Sequence, residues 1–165
     1  MSRLSSTLEI KVIYSTSTQY ALRALIHLAI TDRSGPVLVR EIAAAENVPK
    51  QFLSKILNTL RNRGLVESTK GPGGGFVLAR PRNSIQVSEV IEALDGPTQF
   101  DLSCILGLEE CSDTVPCALH DAWKKFREEY VKSLTSLTLD DLVRTLDRKQ
   151  TQRVHPESAN RGRRT

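Results

Sequence analysis

The chain has 165 residues, 39% apolar and 25% charged, which suits a soluble globular protein with one modest core or one small domain plus a protruding element. Its net charge of +4 and pI of about 9.1 lean towards an anionic partner, but weakly, because several positive charges lie after Asp147. No apolar run approaches the roughly 18 residues a membrane span needs. Met1 to Thr7 lack the apolar core of a secretion signal, so a cytoplasmic protein without a membrane partner is expected.

Residues 1–14 carry no clear period, and a frayed start is expected. Ser15 to Thr18 offer several N-caps for a mostly apolar helix over Tyr20 to Ile30, which Asp32-Arg33-Ser34-Gly35-Pro36 ends. Val37-Leu38-Val39 is a short strand candidate leading into a helix over Arg40 to Glu46. Asn47-Val48-Pro49 makes a tight turn, and a second helix runs from Pro49 to Arg63 with Gly64 as its stop. Phe52, Leu53, Ile56, Leu57 and Leu60 form its buried face; Lys50, Gln51, Ser54, Lys55 and Asn58 fall on the other side. Leu65 to Lys70 and Phe76 to Arg80 read as two strands around a glycine-rich tip, Gly71-Pro72-Gly73-Gly74-Gly75. Ser88 is a candidate cap for a helix with Val90, Ile91 and Leu94 inward, stopped at Asp95-Gly96-Pro97.

Thr98 to Pro116 has no period and is long for a loop in a compact domain; such loops are usually functional or disordered. Beyond it, Leu119, Trp123, Phe126, Tyr130, Leu134 and Leu137 form a near-heptad apolar seam on a long charged helix. A small domain has little with which to cover that seam, so a second copy of the chain is the expected partner. Thr138, followed by Asp140 and Asp141, opens a last helix. From Arg148 the chain is polar and basic, and disorder is expected. The fold class is therefore mainly α with a small β-hairpin wing: a winged helix–turn–helix domain over 13–95, a cysteine loop over 96–118, a dimerisation helix and C-terminal helix over 119–147, and a basic tail over 148–165.

Helix, turn, helix and glycine-tipped hairpin, in that order, form the winged-helix arrangement. An α-helix fills the major groove of double-stranded DNA, and a hairpin reaches the neighbouring groove or backbone. Lys50 and Lys55 suit phosphate or guanine, Gln51 suits adenine, and Ser54 is small and adaptable. At the wing, Ser68, Thr69, Lys70 and the Gly71 and Gly73 amides suit phosphate oxygens. The plainer alternative is a helical hairpin with a solvated face and a merely flexible glycine turn. The glycines are no P-loop, because no Gly-Lys-Ser/Thr follows.

The three cysteines read Cys104-x6-Cys111-x5-Cys117, with His120 following at Cys117-x2-His. An odd number argues against a disulfide framework. Thiolates suit iron–sulfur clusters, Zn²⁺ or Cu(I), but structural zinc usually sits on close cysteine knuckles, absent here. Widely spaced cysteines can wrap an iron–sulfur cluster, which needs four ligands where the loop has three thiols; His120, one turn into the long helix, could point back at them. The alternatives are unrelated thiols or a thiol redox switch for the cysteines, and an exposed helix-start residue for His120. His27 lies in an apolar helix and reads as packed or partly exposed. No C-x-x-C and no clear base beside a thiol are present, so an enzyme is not expected.

Tyr20-Ala21-Leu22-Arg23-Ala24-Leu25, Gly64-Leu65-Val66, Gly71 to Phe76 and Ile85 to Ile91 resemble the iron–sulfur-cluster regulator family of winged-helix transcription factors, the IscR/NsrR/RirA type. The resemblance covers roughly residues 13 to 145. It implies a homodimer held by the long helix through Trp123, Phe126, Tyr130 and Leu134. The cluster loop would lie near the partner's first helix, with Cys104, Cys111 and Cys117 as ligands, and Lys50, Gln51, Ser54 and the wing would lie on DNA. The Cys-x2-His pairing is similar to the IscR type, which favours His120 as fourth ligand and a 2Fe–2S over a 4Fe–4S cluster. Three positions depart from the family: Ser17 and Thr18 replace its usual pair before the first helix, and Gln19 stands where the nitric-oxide-sensing branch has an acidic ligand. The expected function is an operator-binding transcriptional regulator, with repression as the default mode, controlled by a cluster that senses iron, cluster or redox status. The rivals are a cluster-free winged-helix regulator with a thiol switch, and a metal- or thiol-handling protein that does not bind DNA.

Overall fold

The computed structural model describes residues 14–31, 35–96, 104–109 and 111–154, the last seven as backbone. Helix α1 (Thr16–Ile30) starts where expected: the Thr18 N–H donates to Ser15 Oγ at 3.2 Å. Ala21, Ala24, Leu25 and Leu28 are buried, so α1 is the central helix, with the other helices of the domain packed round it. The expected stop at residues 32–34 lies outside the described residues.

Only Val37 of the expected short strand pairs, exchanging both backbone hydrogen bonds with Phe76 at 2.9 Å. Leu38 already caps α2 (Val39–Glu46), so the helix takes Val39. Asn47 carries the turn in the left-handed region (φ 51°), where asparagine is tolerated, and Pro49 caps α3 (Lys50–Asn62). Leu53, Ile56, Leu57 and Leu60 are buried as expected. Phe52 is not: it lies on the flank of the apolar arc, 37% exposed, with its ring edge-on to Tyr20 at 5.8 Å.

Strands β1 (Val66–Thr69) and β2 (Gly75–Leu78) pair antiparallel, Val66 opposite Leu78 and Thr69 opposite Gly75. Gly75 has a packing reason: a Cβ there would sit 2.4 Å from the Val37 carbonyl oxygen, so only glycine lets the α2 approach lie against the wing.

Helix α4 (Val87–Asp95) is capped by Gln86, in a reciprocal box with Glu89, and not by Ser88, which is buried inside the helix. A backbone bridge decides this. Gln86 pairs with Thr138, with Val87 N–H on the Leu137 carbonyl (2.9 Å) and Leu139 N–H on the Ile85 carbonyl (2.8 Å), so the backbone at Leu137 to Leu139 pins the start of α4. Helix α5 (His120–Ser136) follows the cysteine loop, and α6 (Leu139–Val154) follows a Thr138–Asp141 capping box. The expectation of disorder from Arg148 is corrected: α6 continues to Val154. Extending a helix already capped and anchored by buried Leu139 and Val143 costs far less than starting one. Residues 155–165 of the expected tail lie outside the described residues, as do 1–13.

Among the described residues two apolar clusters result. The larger joins α1–α4, the wing and Leu139 of α6. The smaller is Val87, Ile91 and Leu134, with Tyr14, Leu22, Tyr130 and Leu142 around it; it is where α5 attaches to the winged domain. Among the described residues no helix is long and apolar enough to cross a membrane.

Candidate nucleic-acid interface and metal centre

Helix α3 presents Lys50, Gln51 and Lys55 to solvent, beside half-buried Ser54, whose hydroxyl donates to the Lys50 carbonyl at 2.8 Å. Thr69, Lys70, Gly71 and Gly73 are exposed at the wing; Ser68 is half-buried, and Arg61 of α3 donates to its hydroxyl at 3.4 Å. Gly71 and Gly73 turn the tip with positive φ (96° and 77°). Helix α3 and the wing are thus joined by a side-chain contact as well as by the core. Arg61 was not singled out from the sequence, although it extends the basic face of the same helix.

Between 104 and 119 the described residues form turns and bends, as an aperiodic stretch should. They fold tightly enough to bring Cys104, Cys111 and Cys117 together: all three sulfurs lie within 4.8 Å of one another, and all three residues are half-buried. Cys104 and Cys117 are 3.6 Å apart. Cys111 Sγ lies 3.1 Å from His120 Nδ1, so the first residue of α5 does turn back towards the loop. His120 is 14% exposed, not a free helix-start residue. Its Nε2 lies 2.9 Å from Asp113 Oδ1, and Lys124 Nζ donates to both Asp113 oxygens at 2.8 Å.

The thiols differ electrostatically. Backbone hydrogen bonds, that of Leu108 foremost, bring Cys104 down to about 7 against the opposing effect of burial. At Cys111 a hydrogen bond from the Cys117 backbone lowers the thiol, but burial and the neighbouring sulfurs outweigh it and push Cys111 up. One thiolate among the three close sulfurs is thus favoured and a second is resisted. Asp113 is held down at about 2 by Lys124 and then His120, and Lys124 is raised in return.

The seam of α5 is not uniform. Leu134 is buried within its own chain. Trp123, Phe126 and Tyr130 stack successively, with centroids 5.5 and 6.0 Å apart. Phe126 and Leu119 remain 46% exposed, and the Tyr130 hydroxyl is buried with no hydrogen-bond partner among the described residues.

Residues 14–145 match the Rrf2 family of iron-dependent transcriptional regulators. The chain belongs to this family. IscR of Pectobacterium atrosepticum is 33% identical over 125 residues, 76% of this chain and 75% of that protein. Among solved structures, CymR, the global cysteine regulator of B. subtilis, matches with a TM-score of 0.69 at 31% identity, covering 79% of this chain and 95% of the other. IscR of T. potens matches with a TM-score of 0.66 at 29% identity, covering 88% and 94%. The chain is therefore a DNA-binding transcriptional regulator with a winged helix, not an enzyme. Sequence reasoning missed two parts of this Rrf2 chain's metal-centre candidate. Lys124 was findable, since four residues after His120 it shares a helix face; Asp113, an acid in an aperiodic loop, left no signal.

Proposed function

We propose that this Rrf2 regulator is a cytoplasmic homodimer whose affinity for a double-stranded operator is set by an iron–sulfur cluster held by Cys104, Cys111 and Cys117, with His120 as fourth ligand. The observation that carries the proposal is the convergence of three sulfurs within 4.8 Å beside an imidazole nitrogen 3.1 Å from one of them. Three soft thiolates and one imidazole fit an iron–sulfur group, and the resemblance of the Cys-x2-His pairing to the IscR type favours 2Fe–2S over 4Fe–4S. When bound, such a cluster supplies a redox-active centre whose presence depends on iron supply and oxidants.

The remaining steps belong to the chain. Ordering residues 104–119 fixes the start of α5. Leu134 at the far end of α5 packs on Val87 and Ile91 of α4. Asp95, the last residue of α4 and close to the cysteine loop in sequence, grips the start of α1: it accepts from the Ser15 N–H at 2.8 Å and the buried Thr18 hydroxyl at 2.9 Å. Leu134 of α5 thus packs on the first half of α4, while Asp95 ties the other end of α4 to α1. In a dimer seated on Trp123, Phe126 and Tyr130, a small rotation there changes the spacing of two α3 helices. The spacing must match half-sites about one helical turn apart. Lys50, Gln51, Ser54 and Lys55 then meet the major groove, and Ser68, Thr69, Lys70, Gly71 and Gly73 the backbone or adjacent groove. Repression follows where the operator overlaps a promoter.

Anaerobic purification with an absorption spectrum and iron and sulfide assays, followed by operator binding with and without the cluster, tests this. About two irons and two sulfides per chain, with different affinities in the two states, is the expected result. A colourless, iron-free protein after reconstitution would sink it. A second reading then stands: a thiol switch, favoured by the 3.6 Å approach of Cys104 to Cys117 and the low-lying Cys104 thiol.

A further inference from the structure

Three observations converge on Asp113, which lies outside the four-donor set. His120 Nε2 is 2.9 Å from Asp113 Oδ1. Across the same ring, Nδ1 is 3.1 Å from Cys111 Sγ. Lys124, one turn further along α5, donates to both Asp113 oxygens at 2.8 Å. A neutral imidazole has one proton, and an ionised carboxylate can only accept. The ring proton is therefore drawn to Nε2, and Nδ1 keeps its lone pair on the side of the sulfurs. A metal-bound histidine usually donates its other ring N–H to such an oxygen, which sets the tautomer and raises the basicity of the ligating nitrogen.

We propose that Asp113 is a positioning residue of the metal centre: its carboxylate holds His120 in the Nε2–H form with Nδ1 turned to the sulfurs, and Lys124 holds the carboxylate in turn. This deepens the cluster reading above and rests on His120 being a ligand. An exposed Asp113–Lys124 pair alone contributes little, and Asp113 is 70% exposed. Its contact with a 14% exposed histidine beside a cysteine sulfur makes the pair part of the site. The arrangement also ties the segment between Cys111 and Cys117 to the first turn of α5 by side chains as well as by chain connectivity.

The test uses the full chain, reconstituted anaerobically with iron and sulfide, as wild type, Asp113→Ala, Asp113→Asn and His120→Ala. Three quantities are read: the nitrogen hyperfine coupling of the reduced cluster in pulsed electron paramagnetic resonance, its reduction potential, and the rate of iron loss to a chelator. The wild type should show coupling to one histidine nitrogen. Asp113→Ala should lose iron about tenfold faster or more and shift the potential upward, because a negative charge near the site is gone. Asp113→Asn, whose amide oxygen still accepts from Nε2–H, should recover most of the retention while keeping the upward shift, a split that a merely structural role would not produce. Wild-type values of potential and iron loss in Asp113→Ala, with the nitrogen coupling intact, would overturn the role of Asp113 and leave His120 ligation standing. Absence of nitrogen coupling in the wild type, with an unchanged spectrum in His120→Ala, would overturn His120 ligation and this proposal with it.

Discussion

The winged domain and the arm formed by the cysteine loop and α5 are held together in different ways. In the first, α1, α2, α3 and the approach to the wing bury Leu25, Ile42, Leu53, Leu57, Leu60 and Leu65 almost completely. In the second, α5 buries one residue, Leu134, while the loop exposes Ile105, Leu106, Leu108 and Val115 by half or more. What organises the loop is polar and sulfur chemistry: three thiols, one imidazole, one carboxylate and one ammonium group. A DNA reader must keep its shape whatever the signal. The arm, which buries little by itself, has the low local stability expected of the sensor proposed above, whose shape a ligand or a partner would complete.

That contrast can be broken or sharpened by mutation. The largest effect is expected at the proposed cluster site: Cys111→Ala should abolish the visible chromophore and reduce bound iron to background, while the far-ultraviolet circular dichroism of the winged domain stays unchanged. Retained colour with full iron and sulfide would remove Cys111 from the site. Next is Leu57→Ala in the core, which should cost about 2–5 kcal/mol in urea unfolding, because a fully buried leucine leaves a cavity. Phe126→Ala in the arm should leave the domain's stability within about 0.5 kcal/mol but weaken self-association, read by sedimentation equilibrium. Equal destabilisation by the two would erase the distinction between core and arm.

Smaller effects probe the joints. Lys50→Ala should lower the slope of log affinity against log salt by about 1 in an operator titration, if the side chain neutralises one phosphate. An unchanged slope would place Lys50 off the backbone. Thr138→Ala should cost about 1 kcal/mol, since it removes the cap of α6. At Tyr130, burial pushes the phenol up to about 12, above its ordinary value near 10. The folded chain therefore keeps a proton that the unfolded chain loses over that interval. Stability from this group is complete below about pH 10 and falls as pH rises towards 12. Tyr130→Phe should flatten that part of the curve, and at neutral pH it should cost little, because the hydroxyl it removes is buried and unpaired.

Much of the fold was legible because its signals are local. Ser15 caps α1, Asn47 and Pro49 turn α2 into α3, and Gly71 and Gly73 turn the wing, each through conformational preferences that act within a few residues. The misreadings arose where a distant backbone outvoted a local preference. Ser88 yielded the cap to Gln86 once Thr138 pinned that residue, and Val39 joined the helix because only Val37 pairs with the wing and Leu38 already caps α2. Phe52 was misassigned because period alone does not say how far round a helix its neighbours reach.

Residue types and spacing alone determined a winged helix, a basic reading face and a group of soft ligands on a long loop, since these follow from side-chain chemistry and short-range geometry. Only the tertiary structure decided that the three sulfurs meet, that His120 turns Nδ1 and not Nε2 towards them, and that Asp113 and Lys124 stand behind it. The physical reason is that an aperiodic loop has no regular hydrogen-bond pattern to fix its path. The positions of its side chains are set by the contacts they make on closing against α5, and those contacts exist only once the chain has folded.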